Sequence, residues 1–215
     1  DPLPCTMPFS SLKLHPSLLS GVKELGFARP TPIQAEAIPP AVDGRDVLAC
    51  AMTGSGKTAA FLLPILHRLL ARPRGTTRAL ILTPTRELAA QIVEELNDLA
   101  VHTPITAAAV IGGVGMGPQE HAFRSGVDVI VATPGRLLDH LRSPYAKLDR
   151  IEYLVLDEAD RMLDMGFLPD VRRIVKLVPA KRQTLFFSAT MPDPIVKLTK
   201  EMLQNPATVN LARKA

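Results

Sequence analysis

The chain is 215 residues long, 47% hydrophobic and 21% charged, with a formal net charge of +4. That size suits one α/β domain with a substantial buried core, or at most two small ones, and the composition is that of a globular protein. So modest a charge permits a polyanionic partner without demanding one, because a few local Lys and Arg matter more than the total.

A long stretch free of formal charge, residues 101–119, holds Pro104, Gly112, Gly113, Gly115, Gly117 and Pro118, so no membrane span is expected. The N-terminus lacks the basic and continuous apolar regions of a signal peptide. Cys5 and Cys50 have no metal-ligand spacing, and the histidines form no pair at helical ligand spacing. Together these predict a reduced, cytoplasmic setting and no zinc site.

Along the chain, Pro30, Pro32, Pro39 and Pro40 punctuate early loops and helix starts. Residues 46–50 then read as a strand. A Gly-rich turn follows, Ala51-Met52-Thr53-Gly54-Ser55-Gly56-Lys57-Thr58, and after it Phe61, Leu62, Ile65, Leu66, Leu69 and Leu70 recur at helical spacing. In such a turn Gly54 and Gly56 let backbone N–H groups curl around phosphate oxygens while the helix N-terminus adds its positive end. Lys57 supplies a point charge for β- and γ-phosphates, and Thr58 offers a hydroxyl to Mg²⁺. The usual phosphate-loop pattern opens with Gly, where this chain has Ala51. Alone, the segment could be an ordinary Gly/Ser loop with an exposed Lys.

Further strand-like runs lie at 79–82, 106–111, 127–131, 153–156 and 184–187, separated by helical patterns. A last helix is expected at 195–203 and a short run at 208–211. The alternation predicts a mainly parallel, twisted sheet with helices on both faces and ligands at the carboxyl ends of its strands. The run at 153–156 ends in adjacent acids, Asp157 and Glu158. Asp157 at a strand end could hold Mg²⁺ through water, and Glu158 could orient or deprotonate an attacking water. Their other reading is acids that favour the start of the next helix. Combined with the Gly-rich turn, they describe an NTP-hydrolysing site.

Two segments echo each other: Thr83-Pro84-Thr85-Arg86 and Thr133-Pro134-Gly135-Arg136 each follow a strand and open a helix. An exposed Arg in a first helical turn opposes the helix dipole, and a bound phosphate reverses that sign. Pro merely marking a helix start is the alternative. Ser188-Ala189-Thr190 also ends a strand, with Asp160 as the natural carboxylate partner or as a plain strand-end turn.

With these residues in view, the chain resembles the first RecA-like, P-loop NTPase domain of a DEAD-box ATP-dependent RNA helicase, bacterial in style. Residues 26–34 match the Q motif, with Phe9 at the upstream aromatic position. Residues 51–58 match motif I in the family's own Ala-first form, 84–89 motif Ia, Gly112-Gly113 the GG element and 133–136 motif Ib. Asp157-Glu158-Ala159-Asp160 is motif II and 188–190 motif III. The match spans almost the whole chain, giving one domain with a Q-motif region at 9–34 and a core at 45–212.

The resemblance implies ATP as the nucleotide. Gln34 would contact adenine, Phe27 would stack on it, and Phe9, Arg29, Thr53 and Ser55 complete the binding set. Pro84, Thr85, Arg86, Gly113, Thr133, Gly135 and Arg136 are the implied contacts to the RNA backbone, largely independent of sequence. Asp160, Ser188 and Thr190 are implied to couple nucleotide state to RNA binding. The family's second RecA-like domain, source of motifs IV to VI, lies outside these residues. A monomeric fragment that binds nucleotide, hydrolyses it slowly and does not unwind duplexes is therefore expected. The different-class alternative is a nucleotide-dependent RNA clamp without turnover, and a third reading keeps the motor but assigns DNA.

Overall fold

Seven short strands form the centre of the protein, and their side chains explain why. In the computed structural model, which describes residues 7–52, 54 and 56–211, these are β1 (Val47–Cys50), β2 (Ala79–Leu82), β3 (Ala107–Val110), β4 (Val129–Ala132), β5 (Tyr153–Leu156), β6 (Gln183–Ser188) and β7 (Ala207–Asn210). Every pairing is parallel, and the order across the sheet is β3-β4-β2-β5-β6-β1-β7. Residues of β2, β4 and β5 are buried without exception. Unbroken apolar runs are what strands covered on both faces require.

Strand periodicity divides these runs between two cores. Ala79 and Ile81, Val129 and Val131, and Tyr153 and Val155 point to one face. There they meet α1 (Pro16–Glu24), α2 (Pro32–Val42), α3 (Lys57–Leu70) and α4 (Arg86–Leu99). Leu80 and Leu82, Ile130 and Ala132, and Leu154 and Leu156 point to the other. That face is closed by α5 (Met116–Ser125), α6 (Pro134–Leu141), α7 (Ala159–Asp164), α8 (Leu168–Val175) and α9 (Asp193–Met202). Among the described residues no helix is long and apolar enough to cross a membrane.

Register places the chemistry. Leu82 pairs with Ala132 and with Leu156, and Leu156 with Phe186, so three neighbouring strands finish level. On the far side of β6, Cys50 pairs with Ser188. The segments that follow these strands therefore leave the sheet along one edge: 51–58, 83–86, 133–136, 157–160 and 188–190.

The opposite edge is held by a charge network. Asp128, fully buried just before β4, accepts from Arg78 Nη2 at 2.7 Å, Arg74 Nη2 at 3.0 Å and the Thr106 N–H at 2.8 Å. These bonds tie the starts of β2, β3 and β4. β4 begins at Val129 rather than at Val127, because the Val127 N–H closes the end of α5 on the Ala122 carbonyl and the Asp128 N–H turns to Thr106 Oγ1. Burial works against the Asp128 charge, yet the bonds from Arg74, Thr106 and Arg78 outweigh it and hold the carboxyl below its usual range. Because the folded value is depressed, this stabilisation is complete above the unfolded carboxylate range and fades as pH falls through the lower folded value. We expect Asp128→Ala to cost about 3–5 kcal/mol in urea unfolding, because Arg78 is left buried and unpaired. The wild-type excess over the variant should shrink on acidification.

Candidate nucleotide and nucleic-acid site

At the end of β1 the Ala51 N–H donates to the Ser188 carbonyl, and the chain then turns through Gly54 and Gly56 at φ +81° and +85°. Thr53 and Ser55 lie outside the described residues. Gly56 caps α3, and a side chain there would collide with Gln34 Nε2 and Thr31 Oγ1, each 2.7 Å from the position of a Cβ. Only glycine combines that left-handed conformation with so close an approach. The buried Gln34 donates from Nε2 to the Gly56 carbonyl at 3.0 Å and accepts the Thr31 N–H at 2.9 Å. It thus caps α2 and fastens the Q-motif segment to the phosphate loop. The free adenine-reading amide that the resemblance implies is, in this state, occupied at both ends. A base would have to take these two bonds over.

Phe27 is 38% exposed, and Phe9 stacks on it with ring centroids 6.4 Å apart at 24°. The pair makes a preformed aromatic platform with surface left for a further ring. Arg29, on the turn leading to α2, is exposed.

Lys57, the first residue of α3, is buried and reaches across to Asp157 Oδ1 at 2.8 Å and Glu158 Oε1 at 3.3 Å. Asp157 is fully buried, and neither carboxylate oxygen receives a well-aligned hydrogen bond, so the contact with Lys57 is mainly one of charge. Burial raises the Asp157 pKa, with Lys57 opposing. Glu158 adopts the left-handed conformation, φ 53° and ψ 51°, at the N-cap of α7. For a non-glycine residue that costs on the order of 1–3 kcal/mol. The Glu158 carboxylate also meets Arg161 at 3.4 Å. Thr58 is half-buried one residue beyond Lys57. Among the described residues no group of three or more His, Cys, Asp and Glu gathers for a metal. A cation held at Asp157 and Thr58 would therefore draw its remaining ligands from water and phosphate, as Mg²⁺ does. The bare, buried oxygens of Asp157 fit that role.

Asp160 meets both ends of the 188–190 segment. Its N–H donates to Ser188 Oγ at 3.1 Å, and its carboxylate accepts from the Thr190 N–H at 3.1 Å and the Thr190 hydroxyl at 2.9 Å. Ser188 Oγ in turn donates to the Thr190 carbonyl at 2.7 Å. The end of β6 and the start of α7 thus form one hydrogen-bonded unit.

A cleft of about 470 Å³ opens on the same edge, lined by Pro84, Thr85, Arg86, Gly112, Thr133, Gly135, Arg136, Met165 and Phe167 among others. Thr85 caps α4 by accepting the Leu88 N–H, and Thr133 stands at the N-cap of α6. Arg86 is 59% exposed, and its guanidinium lies where a side chain on Gly113 would sit, at φ +76°. Arg136 behaves differently. It is folded back to donate from Nη1 to the Val114 carbonyl at 2.7 Å and is 16% exposed. Arg136 thus offsets the helix dipole by binding a loop carbonyl, whereas Arg86 stays exposed beside the exposed Glu87 carboxylate at 3.2 Å.

The profile of DEAD/DEAH box helicases matches residues 31–198. The chain belongs to the DEAD/DEAH box helicase family. It is 50% identical over 206 residues to the probable ATP-dependent RNA helicase ddx27 of Dictyostelium discoideum, covering 94% of this chain and 26% of that protein. It is 48% identical over 206 residues to the ATP-dependent RNA helicase SrmB of Escherichia coli, covering 94% and 46%. To the CshA helicase of Listeria monocytogenes it is 44% identical over 206 residues, covering 96% and 39%. The chain thus spans between about a quarter and just under half the length of these relatives. Eukaryotic and bacterial relatives are about equally similar, so the bacterial style read from the sequence finds no support in the identities.

In this DEAD-box domain the sequence reading missed the support beneath the Gly112-Gly113 loop. Gln119 donates to the Ile111 carbonyl at 2.8 Å and pairs through Oε1 with His140 Nε2 at 2.8 Å. His140 Nδ1 meets the Tyr145 hydroxyl at 2.6 Å. Burial and the Arg136 charge lower the His140 pKa and favour the neutral ring. With Gln119 Nε2 committed to Ile111, Nε2–H of His140 donates and Nδ1 accepts from Tyr145. A lone histidine without ligand spacing gives no sign of this, because only burial makes it a network member. Met165 and Phe167 follow motif II closely in the chain, but nothing in their spacing places them in the cleft. Gln119→Ala should destabilise the domain by about 1–3 kcal/mol. The matching measurement is faster amide exchange confined to residues 111–116.

Proposed function

We propose that this domain is the ATP-binding half of an RNA-dependent ATPase that separates short RNA duplexes when a second RecA-like domain closes over it. The observation that carries the proposal is the buried Lys57 between Asp157 and Glu158, with the Asp157 oxygens lacking well-aligned donors. A lysine at the start of a helix, one step from a left-handed glycine, is placed to exchange two carboxylates for phosphate oxygens. Phe27 and Phe9 would support the adenine ring, Gln34 would read its edge, and Arg29 would flank it. Thr53, Gly54, Ser55 and Gly56 would supply loop N–H groups. Asp157 and Thr58 would hold Mg²⁺, which when bound neutralises charge on the phosphates. Glu158, freed from Lys57, would orient the attacking water and accept its proton.

Pro84, Thr85, Arg86, Gly113, Thr133 and Gly135 would grip an RNA backbone in the cleft, with Arg136 shaping the loop around it. The Asp160, Ser188 and Thr190 unit would transmit nucleotide state towards that cleft. The second domain enters because the relatives, named as RNA helicases, are much longer than this chain. In the family it supplies arginines for the transferring phosphoryl, and arginine fingers contribute about 10³ to 10⁵ in rate. Alone and monomeric, the domain binds nucleotide and turns it over very slowly. A cytoplasmic setting accords with the free thiol of Cys50.

The deciding experiment compares RNA-stimulated ATP hydrolysis by this chain and by the chain joined to its second domain. Turnover only in the longer form supports the proposal; vigorous RNA-stimulated turnover by this chain alone overturns the division of labour. In the longer form, Glu158→Gln should keep nucleotide binding and lose about 10² to 10⁴ in rate. Arg86→Ala should leave nucleotide affinity intact and reduce the salt dependence of single-stranded RNA binding by about one contact, roughly 0.7 in the log–log slope.

A further inference from the structure

Positive charge is concentrated where the nucleotide chemistry is not. Four depressions run into one another along the edge where β4, β2, β5 and β6 begin. The first, bounded by Arg72, Arg150 and Lys181, shares Arg72 and Lys181 with a neighbour on one side. On the other side it shares Arg150 with a third depression, which meets a fourth at Gly75 and Gly126. Nine Arg and Lys line this trough, against two lining carboxylates, Asp149 and Glu152, and the buried Asp128 behind them. That local excess is larger than the +4 of the entire chain, so the rest of the molecule is net acidic.

Some of these cations have structural work: Arg78 is buried on Asp128, and Arg182 donates to the Pro179 and Met202 carbonyls. Others do not. Lys147, Arg150 and Lys181 are exposed and make no ion pair among the described residues, and Arg72, 51% exposed, has only a 3.7 Å contact with Glu152. Exposed like charges crowded into one concavity repel each other, and a low-dielectric wall focuses their field. A polyanion reverses the sign of that cost. The trough crosses three interstrand spacings, on the order of 14 Å, which is long for a single phosphate and suits a strand of them. Exposed Thr76, next to Gly75, adds a hydroxyl, and the excess of Arg over Lys favours forked contacts to phosphate.

We infer that this trough is a second binding surface for an RNA backbone, separate from the cleft at the other ends of the same strands. It holds RNA that flanks the segment in the cleft, by sequence-independent phosphate contacts. The identity of the polyanion rests on the RNA reading above, whereas its location rests on the trough alone.

The test uses this chain, a fluorescent single-stranded oligouridylate of about thirty nucleotides, and a triple variant, Lys147→Ala with Arg150→Ala and Lys181→Ala. These side chains have no ion-pair partner among the described residues, so the melting temperature should hold. Three lost contacts should lower the log–log salt slope by about 2 and weaken binding at physiological salt roughly tenfold or more. Photo-crosslinks from 4-thiouridine RNA should appear in peptides spanning 142–152 and 179–183. An unchanged slope, or crosslinks confined to the 84–86 and 133–136 segments, overturns the inference. So does a polyglutamate peptide that binds the trough as tightly as RNA, since the surface would then serve an acidic protein. Arg86→Ala separates the two readings: if it has no effect while the triple variant does, the cleft assignment fails and the trough stands.

Discussion

Everything functional in this domain depends on parallel strands that end level. A parallel sheet buried on both faces needs apolar side chains in both directions, and it needs a helix to carry the chain back after almost every strand. Each return therefore delivers a strand-to-helix turn to the same edge. Leu82, Ala132 and Leu156 share one register, so the turns after them lie close without any direct attraction between them. Packing supplies the positions, and the polar residues of five turns need only local geometry to become a site.

At that edge the domain neutralises its own charges. Lys57 stands against two carboxylates, one of them fully buried, and Asp160 is bound to the segment beyond β6. Removing two charges from water is expensive, and their attraction repays it only where geometry is good. Here the Asp157 oxygens lack aligned donors, so the arrangement is serviceable in the absence of ligand and improvable by one. The left-handed backbone of Glu158 belongs to the same pattern: local strain is tolerated because β5 and α7 fix the residue from both sides.

Much of this was legible beforehand, for identifiable reasons. β2 and β5 have the bounds expected from their apolar runs, and β1 differs by one residue, because a strand buried on both faces leaves an unbroken signal. The Gly-rich turn and the paired acids could be read because their chemistry requires particular residue types at adjacent positions. What could not be read depends on contacts distant in sequence. β4 starts late because the N–H groups of Val127 and Asp128 go to Ala122 and Thr106, while the Asp128 carboxylate serves Arg74, Arg78 and Thr106. Arg136 looks like Arg86 in sequence, and its bond to the distant Val114 carbonyl sets it apart. Gln119 and His140 carry no local pattern at all, since their importance comes from burial.

The same Gln34 amide closes the N-terminus of α2 and holds the carbonyl of Gly56, so under the adenine-reading role proposed for it the shape of the phosphate loop and the recognition of a base would draw on one pair of hydrogen bonds. A nucleotide whose edge matches both groups can replace those bonds one for one and release the loop at little net cost. A nucleotide with the opposite pattern of donors and acceptors leaves a buried amide unsatisfied, or leaves the loop latched. On that proposal, discrimination between bases would appear as a difference in how readily the loop lets go, and selectivity would be a property of the empty domain as much as of the filled one.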